Sequence, residues 1–300
     1  MVIKPELKKI VAFLGVQSTK DPNGIHWGGT AFFVFHPGPR QKLPFLYLVT
    51  ARHVVDQLKK LGEFYIRTNA KKGEAFIIKC DDGANWQLHP EDQSADVAVL
   101  PIPLIQELMD QMDISPLPTP CFFNEADRMK TGIGEGSEII IMGLFSKHAG
   151  KAKNMPLIRS GNVAMFPEER IPVTDFGDME AYVIEARSIG GLSGSPVFVI
   201  QVAPLQLTLH LLGLIQGHWD VSRDSMIDVT SQDAGSQARV NMGVAIVTPA
   251  KKILEVLNCQ ALASIREQVE KQWIEQNSPT PDLPVTFPSP PAGLPLPNRQ

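Results

Sequence analysis

The sequence has little cysteine and no surplus of positive charge. Its 300 residues include three cysteines, Cys80, Cys121 and Cys259, which lie far apart in the chain. An odd number at such spacings argues against both a disulfide framework and a zinc site, so we expect a reducing compartment, the cytoplasm. The formal net charge of -4 offers no basic surface of the kind that binds nucleic acid.

The chain also lacks a long apolar run. Its longest stretch without acidic or basic residues, 188–217, is interrupted by glycines, prolines, glutamines and a histidine, so it is not predicted to cross a membrane. The apolar residues 10–16 are too few for a signal peptide and lack a small-residue cleavage pattern. We interpret them as a strand of an ordinary globular protein.

Short β-like segments separated by turn residues dominate the chain as far as residue 247. Residues 27–35, 45–50, 96–102 and 138–143 are typical examples. Roughly a dozen such segments, without regularly alternating helices, predict an all-β fold built as an antiparallel barrel or sandwich. A parallel α/β sheet is not expected.

The last part of the chain changes character twice. Residues of about 249–276 are predicted to form a helix, and its apolar stripe is expected to pack on the domain: Leu254, Leu257, Ala261, Ile265, Val269 and Trp273. The segment 277–300 is proline-rich with one aromatic residue, so it is predicted to be a disordered tail. Its proline motifs are also of the type that a partner binds in extended form. We therefore expect one domain over 1–276, followed by the tail.

A glycine-dense turn around Ser193 carries the main chemical signal. It reads Gly-Gly-Leu-Ser-Gly-Ser over 190–195 and precedes a strand-like run. Glycine accepts positive φ and a close backbone approach, so this turn can direct the amides of Gly191 and Ser193 into one concavity, as a developing oxyanion requires. Serine becomes a nucleophile only beside a base that a third group orients.

His53 and Asp96 are the candidates for that base and its orienting group. Of seven histidines, only His53 follows a strand with small flanking residues. Asp96 opens an apolar strand, where a carboxylate has no packing role of its own, and Asp92 in the preceding polar loop is the alternative. The α/β-hydrolase order is excluded, because no acidic residue lies between Ser193 and His218.

With these motifs in the order His, Asp, Ser, the chain resembles the trypsin- and chymotrypsin-like serine peptidases in their compact, disulfide-free bacterial form. Thr-Ala-Arg-His at 50–53, Asp-Val-Ala-Val-Leu at 96–100 and Gly-Leu-Ser-Gly-Ser-Pro at 191–196 are similar to the three motifs of that family. Ser195 stands where the family usually has a second glycine. The resemblance covers about residues 10–258 and implies two antiparallel six-stranded β-barrels with the active site between them, and a C-terminal helix.

The resemblance implies a serine endopeptidase that acts on a peptide or protein and needs no metal or organic cofactor. In that mechanism Ser193 is the nucleophile, His53 the general base and Asp96 its orienting carboxylate, while the amides of Gly191 and Ser193 form the oxyanion hole. Two alternatives stay open: a catalytically silent, peptide-binding member of the same fold, and an esterase or other acyl-transfer enzyme.

The resemblance also assigns the substrate pocket. Arg187, six positions before the nucleophile, and Ser188 after it would line the base of the pocket. A wall strand would offer Ile215, Gln216, Gly217 and His218. No acid lies at the base, so a preference for Lys or Arg is disfavoured. An inward Arg187 would favour an acidic P1 side chain, whereas an outward Arg187 would leave a small or apolar preference.

Overall fold

The structure, a computed structural model, describes most of the chain. It covers residues 3–20, 24–81, 83–173, 176–186, 190–203, 206–221 and 240–277, with the backbone alone for 218–221 and 240–242. The predicted specificity residues Arg187 and Ser188, and all of the predicted tail except Asn277, lie outside the described residues. In the part described, no helix combines the length and the apolar composition that crossing a lipid bilayer requires.

The first half of the chain builds an eight-stranded sheet. Its strands are β1 Val11–Gln17, β2 Ile25–Pro37, β3 Pro44–Thr50, β4 Phe64–Asn69, β5 Ala75–Cys80, β6 Gln87–Leu88, β7 Ala98–Ile102 and β8 Leu117–Pro118. Three helices accompany them: α1 Pro5–Lys8, α2 Arg52–Leu61 and α3 Gln106–Met109. The strand order is β5-β4-β1-β2-β3-β7-β6, with β8 parallel to β2 and every other pair antiparallel.

This sheet differs from the first of the two predicted six-stranded barrels. Among the described residues its end strands, β5 and β6, do not pair with each other, so the sheet keeps two edges. The strand β6 has only two residues and supplies too few backbone groups to close a ring.

The second half is a closed six-stranded antiparallel barrel, as predicted. Its strands are β9 Glu138–Gly143, β10 Leu157–Met165, β13 Tyr182–Glu185, β14 Pro196–Ala203, β15 Gln206–Val221 and β16 Val240–Pro249. They follow the order β10-β13-β16-β15-β14-β9 around the ring. A hairpin of β11 Ile171–Val173 and β12 Gly177–Met179 lies outside it. Two 3-10 turns, Thr119–Cys121 and Glu125–Asp127, and α4 Arg128–Thr131 connect the halves.

Alternating side chains on β9 serve two hydrophobic cores. Ile139 and Ile141 point into the barrel, while Ile140 and Met142 pack with the residues of the first sheet. Successive side chains of a strand face opposite sides, so a strand that is covered on both sides becomes an uninterrupted apolar run. The barrel wall therefore lies directly against the first sheet, and the candidate site forms where the two halves meet.

The predicted C-terminal helix is two helices, α5 Ala250–Leu257 and α6 Gln260–Asn277. The buried guanidinium of Arg266 donates to the Leu257 carbonyl at 2.6 Å and to the Tyr47 hydroxyl at 3.0 Å. Carbonyl groups at a helix end need a partner from outside the helix. Arg266 supplies one and so stabilises the break between α5 and α6. The continuous helical periodicity of the sequence does not predict this break.

The outer face of α6 carries residues that were expected to pack. Ile265, Val269 and Trp273 are 45%, 41% and 39% exposed, so the predicted packing is wrong for these three residues, whereas Leu257 on α5 is fully buried and Leu254 packs against the core, as predicted. The fully buried Glu270 faces the protein instead, and its carboxylate accepts hydrogen bonds from the amides of residues 40, 42 and 43 at 2.7–3.1 Å. Hydrogen bonds to a charged group are strong, and here they set which face of the helix packs.

Candidate active site

The pairing of β3 with β7 brings His53 and Asp96 together. His53 is the second residue of α2, directly after β3, and Asp96 lies just before β7, whose Ala98 pairs with Thr50. The fully buried Asp96 carboxylate accepts the His53 amide on Oδ1 at 2.9 Å and faces His53 Nδ1 with Oδ2 at 2.7 Å. A carboxylate there fixes the proton on Nδ1 and leaves Nε2 as the acceptor nitrogen.

Asp92, the alternative to Asp96, has other partners. Its carboxylate accepts hydrogen bonds from Ser94 and Arg170 and lies 3.2 Å from the Lys252 ammonium group. Burial acts to raise the pKa of Asp92, but the hydrogen bonds from Ser94 and Arg170 and the ion pair with Lys252 outweigh it and hold that pKa well below its usual range. Asp92 is thus a structural anion, and Asp96 is the carboxylate on His53.

The loop that carries Ser193 has the backbone that its glycines predict. Gly191 and Gly194 have φ of 97° and 81°, a region in which other residues are strained. A side chain at Gly194 would also collide with the Thr30 carbonyl and the Thr50 hydroxyl. The loop therefore needs glycine at both positions, because the backbone turns left-handed and the first sheet lies against it.

Thr30 on β2 fastens this loop to the first sheet. Its amide donates to the Ser193 carbonyl at 3.0 Å, and its hydroxyl donates to the Gly191 carbonyl at 2.7 Å while accepting the Leu144 amide at 2.9 Å. The carbonyls of the loop are thereby occupied. Among the described residues, the amides of Gly191 and Ser193 have no hydrogen-bond acceptor, as a site that receives an oxyanion requires.

The Ser193 hydroxyl donates to the Gln216 carbonyl at 3.5 Å. In the described part of the chain it makes no hydrogen bond to His53. The register of β15 against β16 shifts between Ile215 and Gly217, so Gln216 occupies a bulge. A bulge redirects backbone groups, and here the Gln216 carbonyl lies beside the serine.

A cleft of about 680 Å³ opens beside the His53 ring. Its lining residues include Gln57, Gln93, Phe176 and Gln216. The Phe176 ring meets the His53 ring edge-on, with 6.1 Å between centroids. No sequence signal pointed to Phe176, because its loop between β11 and β12 has neither a motif nor a clear apolar period.

The predicted substrate-binding residues divide into three groups. Gln216 lines the cleft, whereas the Ile215 side chain is fully buried in the barrel core. Gly217 and His218 continue β15 and pair with β16, and only the backbone of His218 is described. Arg187 and Ser188 lie outside the described residues.

The described part of the chain contains no group of three or more histidine, cysteine, aspartate or glutamate side chains placed to hold a metal ion. The candidate site residues contribute an oriented imidazole, a hydroxyl and two backbone amides.

The chain resembles the trypsin-like serine peptidases. Similar solved structures include the MamO protease domain from Magnetospirillum magneticum, with a TM-score of 0.49 and 14% identity over 84% of this chain and 97% of that one. Deg5 has a TM-score of 0.43 and 16% identity over 70% and 80% of the two chains. An inactive form of Rv3671c from M. tuberculosis H37Rv, a serine-to-alanine mutant, has a TM-score of 0.42 and 14% identity over 86% and 94%. No protein-family model matches the chain, and no curated protein does.

Proposed function

We propose that the chain is a serine endopeptidase that works by acyl transfer at Ser193. The observation that carries the proposal is the fully buried Asp96 carboxylate, which holds His53 by Nδ1 at the edge of the cleft. A charged carboxylate leaves water only where partners compensate the loss of hydration. An imidazole held in this way presents Nε2 as a base, and the glycine-rich serine loop lies in the same junction.

In the proposed reaction Ser193 Oγ attacks the carbonyl carbon of the substrate, and its proton passes to His53 Nε2. Asp96 stabilises the imidazolium, and the amides of Gly191 and Ser193 donate to the oxyanion. The imidazolium then protonates the leaving amine, and water hydrolyses the acyl-enzyme by the same route. The Ser193 hydroxyl has to exchange its bond to the Gln216 carbonyl for one to His53. Such hydrogen bonds are often loose before substrate binds.

A fluorophosphonate probe tests the proposal directly, because it reacts with an activated serine. The unaltered protein should be labelled, and it should cleave peptides from a proteome-derived library. Ser193→Ala should lose both properties. Ser195→Ala is the matched control, two positions away in the same loop, and should keep both. An unlabelled, folded protein would contradict the proposal.

The alternative of a silent peptide-binding member has one observation in its favour, the bond from the Ser193 hydroxyl to Gln216 rather than to His53. That reading predicts saturable binding of peptides without labelling or turnover, measured by calorimetry. An esterase would instead be labelled and hydrolyse esters, but leave peptides intact. Comparing ester and amide substrates of the same acyl group separates these outcomes.

For the substrate, we propose an acidic preference at the residue before the cleaved bond, through Arg187. A guanidinium group at the base of the pocket would pair with a carboxylate by charge-assisted hydrogen bonds. A positional-scanning peptide library should show cleavage after Glu or Asp, and Arg187→Ala should lose it by about tenfold or more. Cleavage after small or apolar residues that Arg187→Ala leaves unchanged would contradict the preference.

A further inference from the structure

A group of carboxylates outside the candidate site surrounds the buried Lys252 on α5. Its side chain is 8% exposed, and its ammonium group lies 3.2 Å from Asp92, 3.2 Å from Glu180 and 3.1 Å from Glu255. These carboxylates come from the loop before β7, from the segment between β12 and β13, and from α5 itself. One cation therefore ties together three separate parts of the chain.

The first of these parts leads straight to Asp96. The Asp92 carboxylate accepts the Ser94 amide at 3.1 Å and the Ser94 hydroxyl at 2.7 Å, and the Asp92 carbonyl accepts the Ala95 amide at 3.1 Å. Residues 92–95 thus form a tight turn that ends at Asp96. A tight hydrogen-bonded turn leaves little freedom between its ends, so the position of Asp92 constrains the position of Asp96.

The segment that contains β11 and β12 reaches the His53 ring from another side. Arg170 donates to the Asp92 carboxylate at 2.9 Å and, through Nε, to the Asp178 carbonyl at 3.0 Å. These bonds hold the β11–β12 hairpin, and Phe176 at its turn contacts the His53 ring. The carboxylate that orients the imidazole and the ring that packs against it are thus anchored on the same group of charges.

We propose that Lys252 is a positioning residue for the His53–Asp96 pair, an inference whose kinetic part rests on the proposed function. Without the ammonium group, the carboxylates of Asp92, Glu180 and Glu255 keep separate partners, Arg170, Lys251 and His89, but lose the one group that bridges all three. Their separation would release the 92–95 turn, and the Asp96 carboxylate would move away from His53 Nδ1. Lys252 acts on the reaction only through that displacement.

The direct test is proton NMR of the full chain, observing the low-field signal of the His53 Nδ1 proton, assigned by its loss in Asp96→Ala. Lys252→Met keeps the length of the side chain and removes its charge, and it should move this signal upfield or broaden it away. Lys252→Arg keeps the charge and should restore the signal. In peptide hydrolysis, Lys252→Met should lower kcat about 10- to 100-fold with KM changed about twofold or less.

Arg266→Met is the matched control for a general loss of stability. Arg266 is equally buried and lies in the neighbouring helix, but its bonds go to Tyr47, Leu257 and Asn258. It should lower the melting temperature and leave the Nδ1 signal in place. If Lys252→Met does not fold, Lys252→Gln decides, since it removes the same charge with a polar side chain, and a smaller upfield movement is expected. An unchanged signal and unchanged kcat in the folded variant would overturn the proposal.

These outcomes separate the two proposals. If a fluorophosphonate probe does not label the unaltered protein, the peptidase proposal is contradicted, while the NMR comparison still tests the role of Lys252. A labelled protein whose Lys252→Met variant matches it in signal and kcat sinks the positioning role alone.

Discussion

Two serines in one loop show how much depends on the surroundings of a single residue. Ser193 is half-buried and its hydroxyl donates to the Gln216 carbonyl, whereas the Ser195 hydroxyl is buried without a hydrogen-bond partner in the described part of the chain. Ser195 packs against Gly143, where any side chain would collide with it. The Ser195 side chain thus fits because it lies opposite a strand position that has no side chain.

Ser195→Ala should therefore stabilise the protein, because a buried hydroxyl without a partner costs free energy. We expect a gain of about 1 kcal/mol in the free energy of unfolding, measured by chemical denaturation. Probe labelling should stay at the level of the unaltered protein. A loss of stability in this variant would show that the hydroxyl has a partner after all.

His36 on β2 predicts how stability depends on pH. Burial, and next the nearby charge of Arg266, lower the pKa of His36 to about 4, against the opposing effect of its hydrogen bond to Asn258. Below pH 6.5 the His36 imidazole binds a proton in the unfolded chain, whereas in the folded protein it stays neutral down to about pH 4. Stability is therefore lost as pH falls from 6.5 toward 4, by about 3 kcal/mol from this group.

The variant His36→Gln removes this contribution and should flatten the dependence over that range. Denaturant titrations of both proteins at a series of pH values give the difference curve, in which the other titrating groups largely cancel. Curves that run parallel between pH 4 and 6.5 would contradict the role assigned to His36.

At the scale of elements, β2 contributes to a site that belongs mainly to other elements. Thr30 on this strand holds the carbonyls of the serine loop through its amide and its hydroxyl. The bond from the hydroxyl joins residues 161 positions apart. The amides of Gly191 and Ser193, the proposed oxyanion donors, depend on this strand for their orientation, although they belong to the loop before β14.

Thr30→Val keeps the shape of the side chain and removes the hydroxyl that bonds Gly191 and Leu144. We expect the rate of probe labelling to fall by about tenfold and the free energy of unfolding by about 1–3 kcal/mol. Thr30→Ser retains the hydroxyl and is the control. A labelling rate equal to that of the unaltered protein in the valine variant would mean that the loop holds its shape alone.

The elements also show how far sequence alone can go. The strands were predictable because apolar runs such as 45–50 and 138–143 lie on β3 and β9, where burial on both faces leaves a plain signal. The stripe on α6 was not, because charge-assisted hydrogen bonds of Glu270 outweigh the apolar periodicity. The open edges of the first sheet could not be predicted from the sequence either, since they depend on the length of β6.

Some residues of the candidate site could likewise be predicted from the sequence, and others could not. His53 and Asp96 were predictable because each follows or opens a strand, and the two strands pair. Phe176 and Gln216 were not, since a ring contact and a strand bulge arise from the meeting of distant segments. Asp92 looked like a rival because sequence shows the carboxylate but not the cations that surround it.

For the whole molecule, the proline-rich segment beyond α6 poses a separate question. We predict that truncation after Gln276 leaves peptide turnover and probe labelling unchanged, because every described contact of the candidate site comes from residues before α6. Truncation after Leu257 is the contrasting variant, since it also removes Arg266 and Glu270. It should lower the melting temperature. A collapse of turnover in the variant truncated after Gln276 would show that the tail takes part in peptide hydrolysis.

Under the proposed function, the division of the site between two halves of the chain also sets the moment at which activity begins. Synthesis runs from the N-terminus, and domains fold as their residues become available. His53 and Asp96 belong to the first half of the chain, while Ser193, the strand beside it and Lys252 are made later. If the proposed function holds, a growing chain has the base without the nucleophile and is unable to cut neighbouring nascent chains until the barrel has closed.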